Sequence, residues 1–168
     1  MFFKSTPSSS VRLHPMAELA QQRCSVLIVD DHPAIRVAVR SMLVKLEIIG
    51  QIIESSNGPD ALDQFKKYQP LLVILDLSLP GMDGLSLIRH LASSGHSAKY
   101  LVYSGLDPNI YAARARKAGA NGFISKVYGL EMIESTARSI LNGVNCFPVN
   151  TAENDELDQT AIHRFEVA

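Results

Sequence analysis

The sequence predicts an α/β protein built on one parallel β-sheet of five strands, with five helices covering both of its faces. Between residues 24 and 145, short apolar runs of strand length alternate with segments whose apolar residues recur at helical spacing. Two of the runs, residues 25–29 and 71–75, are apolar almost throughout, which is typical of strands buried on both faces. Strict alternation of this kind requires right-handed crossovers, and these place helices on both sides of a parallel sheet.

The first strand is predicted over residues 25–31, and it ends in the carboxylates Asp30 and Asp31. Pro33 suits the first position of a helix, because its missing N–H has no partner there in any case. The apolar face of this helix extends to about Glu47, with residues at helical spacing: Ile35, Val39, Met42, Leu43 and Leu46. A short β-rich run at residues 49–53 predicts the second strand.

The second helix is predicted to begin at Asn57-Gly-Pro and to end near Pro70. The third strand, residues 71–76, is the central one, and it stops at the single carboxylate of Asp76 before a turn built on Pro80, Gly81 and Gly84. Asp83 is placed to cap the third helix, which closes at Ser93-Ser-Gly-His.

The remaining elements follow the same alternation. The fourth strand is predicted over residues 99–104, and the dipeptide Asp107-Pro108 begins a helix that ends at Gly119. The fifth strand covers residues 122–126. The last helix extends from about Leu130 to Asn142, with Gly143 just past its end.

Composition limits the classes of protein to which the chain can belong. Its 168 residues are 46% hydrophobic and 20% charged, which fits one globular domain with a real core and modest tails. The net charge of -1 gives no general attraction to nucleic acids or membranes. Two cysteines, Cys24 and Cys146, are too few for a disulfide framework, and no apolar run approaches the ~20 residues that cross a bilayer. We therefore expect a cytoplasmic protein without a membrane partner.

We expect three regions in the chain. Residues 1–23 mix serine, proline, arginine and histidine without a period, which is typical of a flexible N-terminal segment. Residues 24–145 form the folded domain. Residues 146–168 include an acidic stretch with little apolar content, and we interpret them as a linker or tail.

Reactive side chains follow four of the five predicted strands. Asp30 and Asp31 end the first strand, Asp76 the third, Ser104 the fourth and Lys126 the fifth. The carboxyl ends of parallel strands meet at one edge of the sheet, where ligands bind. Three carboxylates close together repel by several kcal/mol and therefore require a cation, for which an all-oxygen site suits Mg²⁺, with Mn²⁺ as an alternative.

A carboxylate beside such a metal, with a lysine and a hydroxyl nearby, is equipped to accept a phosphoryl group as a nucleophile. This interpretation makes Asp76 the acceptor. Each of these residues, when it is considered singly, also has an interpretation that involves no phosphoryl chemistry. Asp30, Asp31 or Asp76 could cap a helix, and Lys126 could be a solvated surface charge.

Four segments together resemble the receiver domain of bacterial two-component response regulators, the CheY-like proteins. They are Val26-Leu-Ile-Val-Asp-Asp-His-Pro, Leu75-Asp-Leu-Ser-Leu-Pro-Gly-Met-Asp-Gly, Tyr103-Ser and Gly119-Ala-Asn-Gly-Phe-Ile-Ser-Lys. The first and last of these are similar to the NarL/FixJ branch. The resemblance implies a doubly wound, flavodoxin-like sheet with strand order 2-1-3-4-5. It also implies that Asp76 is the phosphoacceptor.

The resemblance further implies how the site is divided among its residues. Asp31 and Asp76 would bind Mg²⁺ directly, together with the backbone carbonyl of Ser78, and Asp30 would act mainly through a water molecule. Lys126 and the hydroxyl of Ser104 would contact the phosphoryl oxygens.

The resemblance also implies a conformational switch that changes one surface of the domain. An inward movement of Ser104 would let Phe123 turn into the vacated space and remodel the face made by the fourth helix, the fifth strand and the fifth helix. The alternative for Phe123 is a plain core aromatic. The chain departs from many members of the family at Val127, where they have a proline after the lysine.

The resemblance implies a phosphorelay protein that takes its phosphoryl group from a sensor histidine kinase or a phosphotransfer protein. Such a protein accepts the group and can lose it again, but it is not a turnover enzyme. Its expected output is a changed protein surface, with a homodimer as one form. Members of the NarL/FixJ branch usually control transcription through a helix-turn-helix domain, and residues 149–168 lack the length and basic charge for one. DNA binding is therefore expected only through an output domain that this sequence does not contain.

Two other functions remain open at this point. A stand-alone receiver, or a receiver-like scaffold that is never phosphorylated, would act only by protein–protein interaction. A Mg²⁺-dependent phosphohydrolase with an aspartyl-phosphate intermediate uses a similar sheet. Such enzymes carry an Asp-x-Asp pair after the first strand, whereas Asp30 and Asp31 are adjacent.

Overall fold

The computed structural model describes residues 23–149, and within this range five parallel strands alternate with five α-helices. The strands are β1 (Cys24–Val29), β2 (Ile49–Ser55), β3 (Leu72–Leu75), β4 (Lys99–Ser104) and β5 (Gly122–Ser125). The helices are α1 (Pro33–Leu43), α2 (Gly58–Tyr68), α3 (Gly84–Ala92), α4 (Pro108–Ala118) and α5 (Glu131–Leu141). The sheet has the order β2-β1-β3-β4-β5, which confirms the predicted fold class. The expectations for residues 1–22 and 150–168 lie outside the described residues.

The register of the sheet brings the predicted site residues to one edge. Val29 is paired with Leu75, so the next residues along these strands, Asp30 and Asp76, leave the sheet side by side. The Asp76 N–H also donates to the Val29 carbonyl at 2.9 Å. The strand order reverses between β1 and β3, because β2 lies on one side of β1 and the later strands β3, β4 and β5 lie on the other. Open α/β sheets bind their ligands at such a point.

Two apolar layers hold this edge in place, one on each face of the sheet. Alternate residues of a strand point to opposite faces, so neighbouring core residues of β1 belong to different layers. One layer packs β1 and β3 against α2, α3 and α4, with buried residues that include Leu27, Val29, Phe65, Val73, Leu87 and Ala115. The other packs the opposite face against α1 and α5, with buried residues that include Val26, Ile28, Val39, Leu43, Ile74 and Ile133.

The helices begin largely as predicted. Pro33 occupies the first turn of α1. Asp83 caps α3 by accepting a hydrogen bond from the Ser86 N–H at 3.0 Å, and Asp107 caps α4 in a similar way. Since α3 has its own cap in Asp83, capping does not account for Asp76.

Several predicted boundaries were wrong. Strand β1 covers Cys24–Val29 rather than residues 25–31, and β3 covers Leu72–Leu75 rather than residues 71–76. Helix α1 ends at Leu43 rather than near Glu47, and a turn with a hydrogen bond from the Leu46 N–H to the Leu43 carbonyl buries Leu46 without a helix. Strand β2 continues two residues beyond Ile53 because Glu54 and Ser55 pair with β1. Lys126 follows β5 as the first residue of a short 3₁₀-helix, Lys126–Tyr128, and every peptide bond among the described residues is trans.

The outer edge of β5 is covered by the segment after α5. The Cys146 N–H donates to the Asn121 carbonyl at 2.8 Å, and the Phe123 N–H donates to the Cys146 carbonyl at 2.9 Å. The ring of Phe147 lies 4.4 Å beneath the guanidinium of Arg116 on α4. The chain therefore leaves the domain across the face formed by α4 and β5. No helix in residues 23–149 is long and apolar enough to span a membrane.

Tyr100 offers a test of the core. Its side chain is 3% exposed, burial raises the pKa of its hydroxyl to about 12, and this hydroxyl has no hydrogen-bond partner among the described residues. Because an unpaired buried hydroxyl is costly, we expect Tyr100→Phe to raise the free energy of unfolding by about 1 kcal/mol in urea titrations. Tyr128→Phe, at an exposed position, is the control and should change nothing measurable. A destabilised Tyr100→Phe variant would contradict this assignment.

Candidate functional site

Lys126 joins two of the predicted carboxylates. Its Nζ lies 2.8 Å from Asp30 Oδ2 and 2.7 Å from Asp76 Oδ2, so one ammonium bridges the ends of β1 and β3. Burial alone would lower the pKa of Lys126, but the hydrogen bonds and charges of the two carboxylates outweigh it and raise that pKa. Lys126 is therefore charged at neutral pH and points into the site, and it is not a solvated surface charge.

Asp76 is 5% exposed, and protein donors satisfy both of its carboxylate oxygens. Besides the contact with Lys126, its Oδ1 accepts hydrogen bonds from the Ser104 hydroxyl at 2.6 Å and from the Ser78 N–H at 3.1 Å. Burial by itself raises the pKa of Asp76, but the hydrogen bonds from Lys126, Ser104 and Ser78, with the charge of Lys126, lower it below the usual range. Asp76 is thus an ionised carboxylate in a largely buried setting.

Ser104 and Phe123 occupy the two strands beyond β3. Ser104 is completely buried at the end of β4, where its hydroxyl donates to Asp76 and also lies 3.4 Å from the Leu106 N–H. Phe123 is buried in the core on β5, paired in register with Val102. This position is compatible both with a core aromatic and with the inward form of a switch, so its switching role stays a prediction.

Asp30, Asp31 and His32 form the acidic loop that follows β1. The ligand atoms of these three residues lie within 4.8 Å of one another. Asp30 Oδ1 accepts a hydrogen bond from the His32 N–H at 2.9 Å. Asp31 Oδ1 is buried, and although His32 Nδ1 lies 2.7 Å away it is not aligned for a hydrogen bond, so this oxygen has no hydrogen-bond partner among the described residues. Asp76 is not a member of this cluster and is connected to it through Lys126.

The atoms of this loop that could coordinate a metal are carboxylate oxygens, which suit a hard divalent cation. The buried Asp31 oxygen has no hydrogen-bond partner among the described residues, and a bound cation would satisfy it. Receiver domains in general bind Mg²⁺, and the acidic loop is consistent with that property. The direct roles of Asp31, Asp76 and the Ser78 carbonyl stay predictions.

Sequence reasoning missed three side chains around the site. His32 lies beside Asp31, and the ring of Tyr103 lies 5.8 Å from Lys126 Nζ. Arg36 on α1 donates a hydrogen bond from Nη1 to the Asp30 carbonyl at 2.7 Å. His32 could have been suspected from its place directly after two carboxylates. Nothing in the pattern of α1 distinguishes Arg36 from an ordinary surface arginine.

A five-stranded doubly wound sheet, with a buried aspartate after its central strand contacted by a lysine and a serine, is the arrangement of a receiver domain. The family described as the response regulator receiver domain matches residues 26–138. The chain belongs to this family, and its relatives place it in the NarL/FixJ-type group.

Two relatives illustrate the similarity. The transcription regulator of virulence factors BvgA from Bordetella pertussis is 37% identical over 145 residues, which cover 82% of this chain and 68% of BvgA. The Fimbriae Z protein of Salmonella typhimurium is 36% identical over 127 residues, which cover 76% of this chain and 60% of that protein. The similarity thus spans about two thirds of these relatives.

Solved structures show the same fold. The receiver domain of the response regulator NarL from Mycobacterium tuberculosis has a TM-score of 0.67 at 27% identity, covering 73% of this chain and 98% of that one. The isolated receiver domain of RcsB from Salmonella enterica serovar Typhimurium, determined with BeF₃⁻, has a TM-score of 0.70 at 21% identity. That match covers 75% of this chain and 94% of the RcsB domain.

Proposed function

We propose that this domain accepts a phosphoryl group on Asp76 from the phosphohistidine of a sensor kinase or phosphotransfer protein. The observation that carries the proposal is the environment of Asp76. An ionised carboxylate at the switch point of the sheet is contacted by an ammonium at 2.7 Å and by a hydroxyl at 2.6 Å. These groups suit both a nucleophile and the charge that develops on a transferred phosphoryl group.

In the proposed transfer, an Asp76 carboxylate oxygen forms a bond to phosphorus while the bond from phosphorus to the donor imidazole nitrogen breaks. The imidazole leaves with the electron pair of that bond and takes up a proton. Ser104 and Lys126 now hydrogen-bond to Asp76, and they are placed to turn these hydrogen bonds toward the phosphoryl oxygens. Because Lys126 already carries its charge, it needs no proton transfer to neutralise the incoming group.

Asp31, Asp76 and the Ser78 carbonyl would hold Mg²⁺, or Mn²⁺ in its place, with Asp30 acting mainly through water. When bound, the cation supplies positive charge that neutralises the phosphoryl oxygens and the acidic residues. The chain's own contribution is to keep Asp76 ionised, and to hold the carboxylates of Asp30 and Asp76 on either side of the Lys126 ammonium until the donor arrives.

We propose that the output is a change in the face formed by α4, β5 and α5, reported by Phe123. Two features support this: Phe123 lies on β5, whose end adjoins Lys126, and the chain leaves the domain across the same face. The relatives BvgA and Fimbriae Z are longer than the matched region. Control of transcription through a DNA-binding output domain, with a homodimer as one active form, is the corresponding proposal for the whole protein.

Incubation with a small phosphodonor and Mg²⁺ should add one phosphoryl mass to the chain, as measured by intact-protein mass spectrometry. Asp76→Asn should add none, because an amide is not a nucleophile of this kind. Asp63→Asn, which makes the same change at an exposed position of α2, is the matched control and should react like the wild type. A wild-type chain without an adduct, or an adduct that persists in Asp76→Asn, would contradict the proposal.

A further inference from the structure

Arg36 connects the acidic loop to two other elements of the fold. From its position on α1, its Nη1 donates to the Asp30 carbonyl at 2.7 Å, and its Nε donates to the Glu54 carboxylate on β2 at 3.2 Å. The Arg36 side chain is 16% exposed, so these contacts form in a partly desolvated position and are weakly screened by salt.

The carbonyl that Arg36 contacts belongs to the peptide unit joining Asp30 and Asp31. A peptide unit is planar, so fixing the direction of its C=O also fixes its N–H and the two Cα atoms from which the carboxylates project. The hydrogen bond from the His32 N–H to Asp30 Oδ1 holds the following part of the loop. Arg36 is therefore placed to set the orientation of Asp31, a predicted cation ligand, and of Asp30, which is predicted to act mainly through water.

Glu54 holds the guanidinium in place from the other side. It accepts hydrogen bonds from Arg36 and also from Arg40 Nε at 2.6 Å. Arg40 in addition donates to the Ile52 carbonyl at 3.2 Å. Arg36 and Arg40 thus make similar ion pairs one helical turn apart, but only Arg36 among them reaches the acidic loop.

We propose that Arg36 is a positioning residue for the divalent cation site, acting through the peptide unit between Asp30 and Asp31. The inference rests on the proposed function, because it concerns the affinity of the site for Mg²⁺. Its alternative is that Arg36 only ties α1 to β2, as Arg40 does. The two roles predict different behaviour for substitutions at the two arginines.

The test compares Arg36→Gln with Arg40→Gln in the full chain, using isothermal titration with Mg²⁺ and thermal unfolding without it. Both variants lose an ion pair with Glu54, so both are expected to unfold at a lower temperature. Only Arg36→Gln should also weaken Mg²⁺ binding, by about tenfold, which is typical when a group that orients metal ligands is removed. Arg40→Gln should bind Mg²⁺ like the wild type.

Arg36→Lys keeps the inference testable if Arg36→Gln does not fold. A lysine retains one charged donor but cannot bridge Glu54 and the Asp30 carbonyl with a planar fork, so Mg²⁺ affinity should fall between those of the wild type and Arg36→Gln. The positioning role would be overturned if a folded Arg36→Gln variant bound Mg²⁺ as tightly as the wild type. It would also be overturned if Arg36→Gln and Arg40→Gln weakened Mg²⁺ binding equally. A wild-type chain that does not bind Mg²⁺ at all would instead count against the proposed function.

Discussion

Lys126→Met is expected to lower the free energy of unfolding of the metal-free protein by about 3 kcal/mol at neutral pH. The substitution leaves the carboxylates of Asp30 and Asp76 buried and facing each other without their shared ammonium, which now contacts them at 2.8 and 2.7 Å. Urea titration in the presence of a chelator measures the loss. Adding Mg²⁺ should restore part of it, because a cation that binds only the folded state stabilises that state by mass action.

The pH dependence of this loss gives a second readout. In the wild type, the lowered pKa of Asp76 stabilises the folded state above the ordinary carboxyl range, and this contribution disappears as the pH falls through the folded-state pKa. Without Lys126, burial has more weight and the pKa of Asp76 rises, so the deficit in stability relative to the wild type should shrink as the pH is lowered. Lys66→Met, at an exposed position of α2, is the matched control and should remain within about 0.5 kcal/mol of the wild type. A variant as stable as the wild type would contradict the buried ion cluster.

Gly84→Ala is expected to destabilise the protein by about 2 kcal/mol, because α3 begins against the backbone of the loop that follows Asp76. A Cβ atom at this position would lie 2.5 Å from the Leu77 Cα and 2.7 Å from the Asp76 carbonyl oxygen, and backbone cannot move aside as a flexible side chain can. Asp76, the proposed phosphoacceptor, would have to shift. We therefore also expect slower phosphorylation by a small phosphodonor.

Gly105→Ala provides the matched control. Gly105 directly follows Ser104, and a Cβ there would meet no heavy atom within 4 Å. The same change of residue should therefore leave both urea stability and phosphorylation close to wild type. If the two alanine variants behaved alike, the close approach of α3 to the Asp76 loop would not be required for stability or for phosphorylation.

The parts of the fold that were predicted correctly depend on strong local patterns. Buried strands such as β1 and β3 are short and continuously apolar, and their ends are marked by charged or turn-forming residues. Caps such as Asp83 and Asp107 likewise act within one helical turn, so the sequence nearby contains the whole signal. The placement of Asp30 and Asp76 at one edge could be predicted because every strand of a parallel sheet points the same way.

What could not be predicted depends on contacts between residues distant in sequence. The early end of α1 arises because a turn buries Leu46 as well as another helical turn would. The reach of Arg36 to the Asp30 carbonyl depends on the distance between α1 and the sheet, which apolar spacing does not encode. Lys126 bridges Asp30 and Asp76 because of the register of three strands, which the sequence does not contain. The sequence therefore indicated which residues lie close together but not which of their atoms are in contact.

The most direct test of the central claim is to locate the phosphoryl group in the wild-type chain. After reaction with a small phosphodonor and Mg²⁺, reduction with borohydride converts an aspartyl phosphate to homoserine, and peptide mass spectrometry then identifies the converted position. The account predicts conversion at Asp76 alone. Conversion at Asp30 or Asp31, or an acyl phosphate at any position other than Asp76, would contradict it.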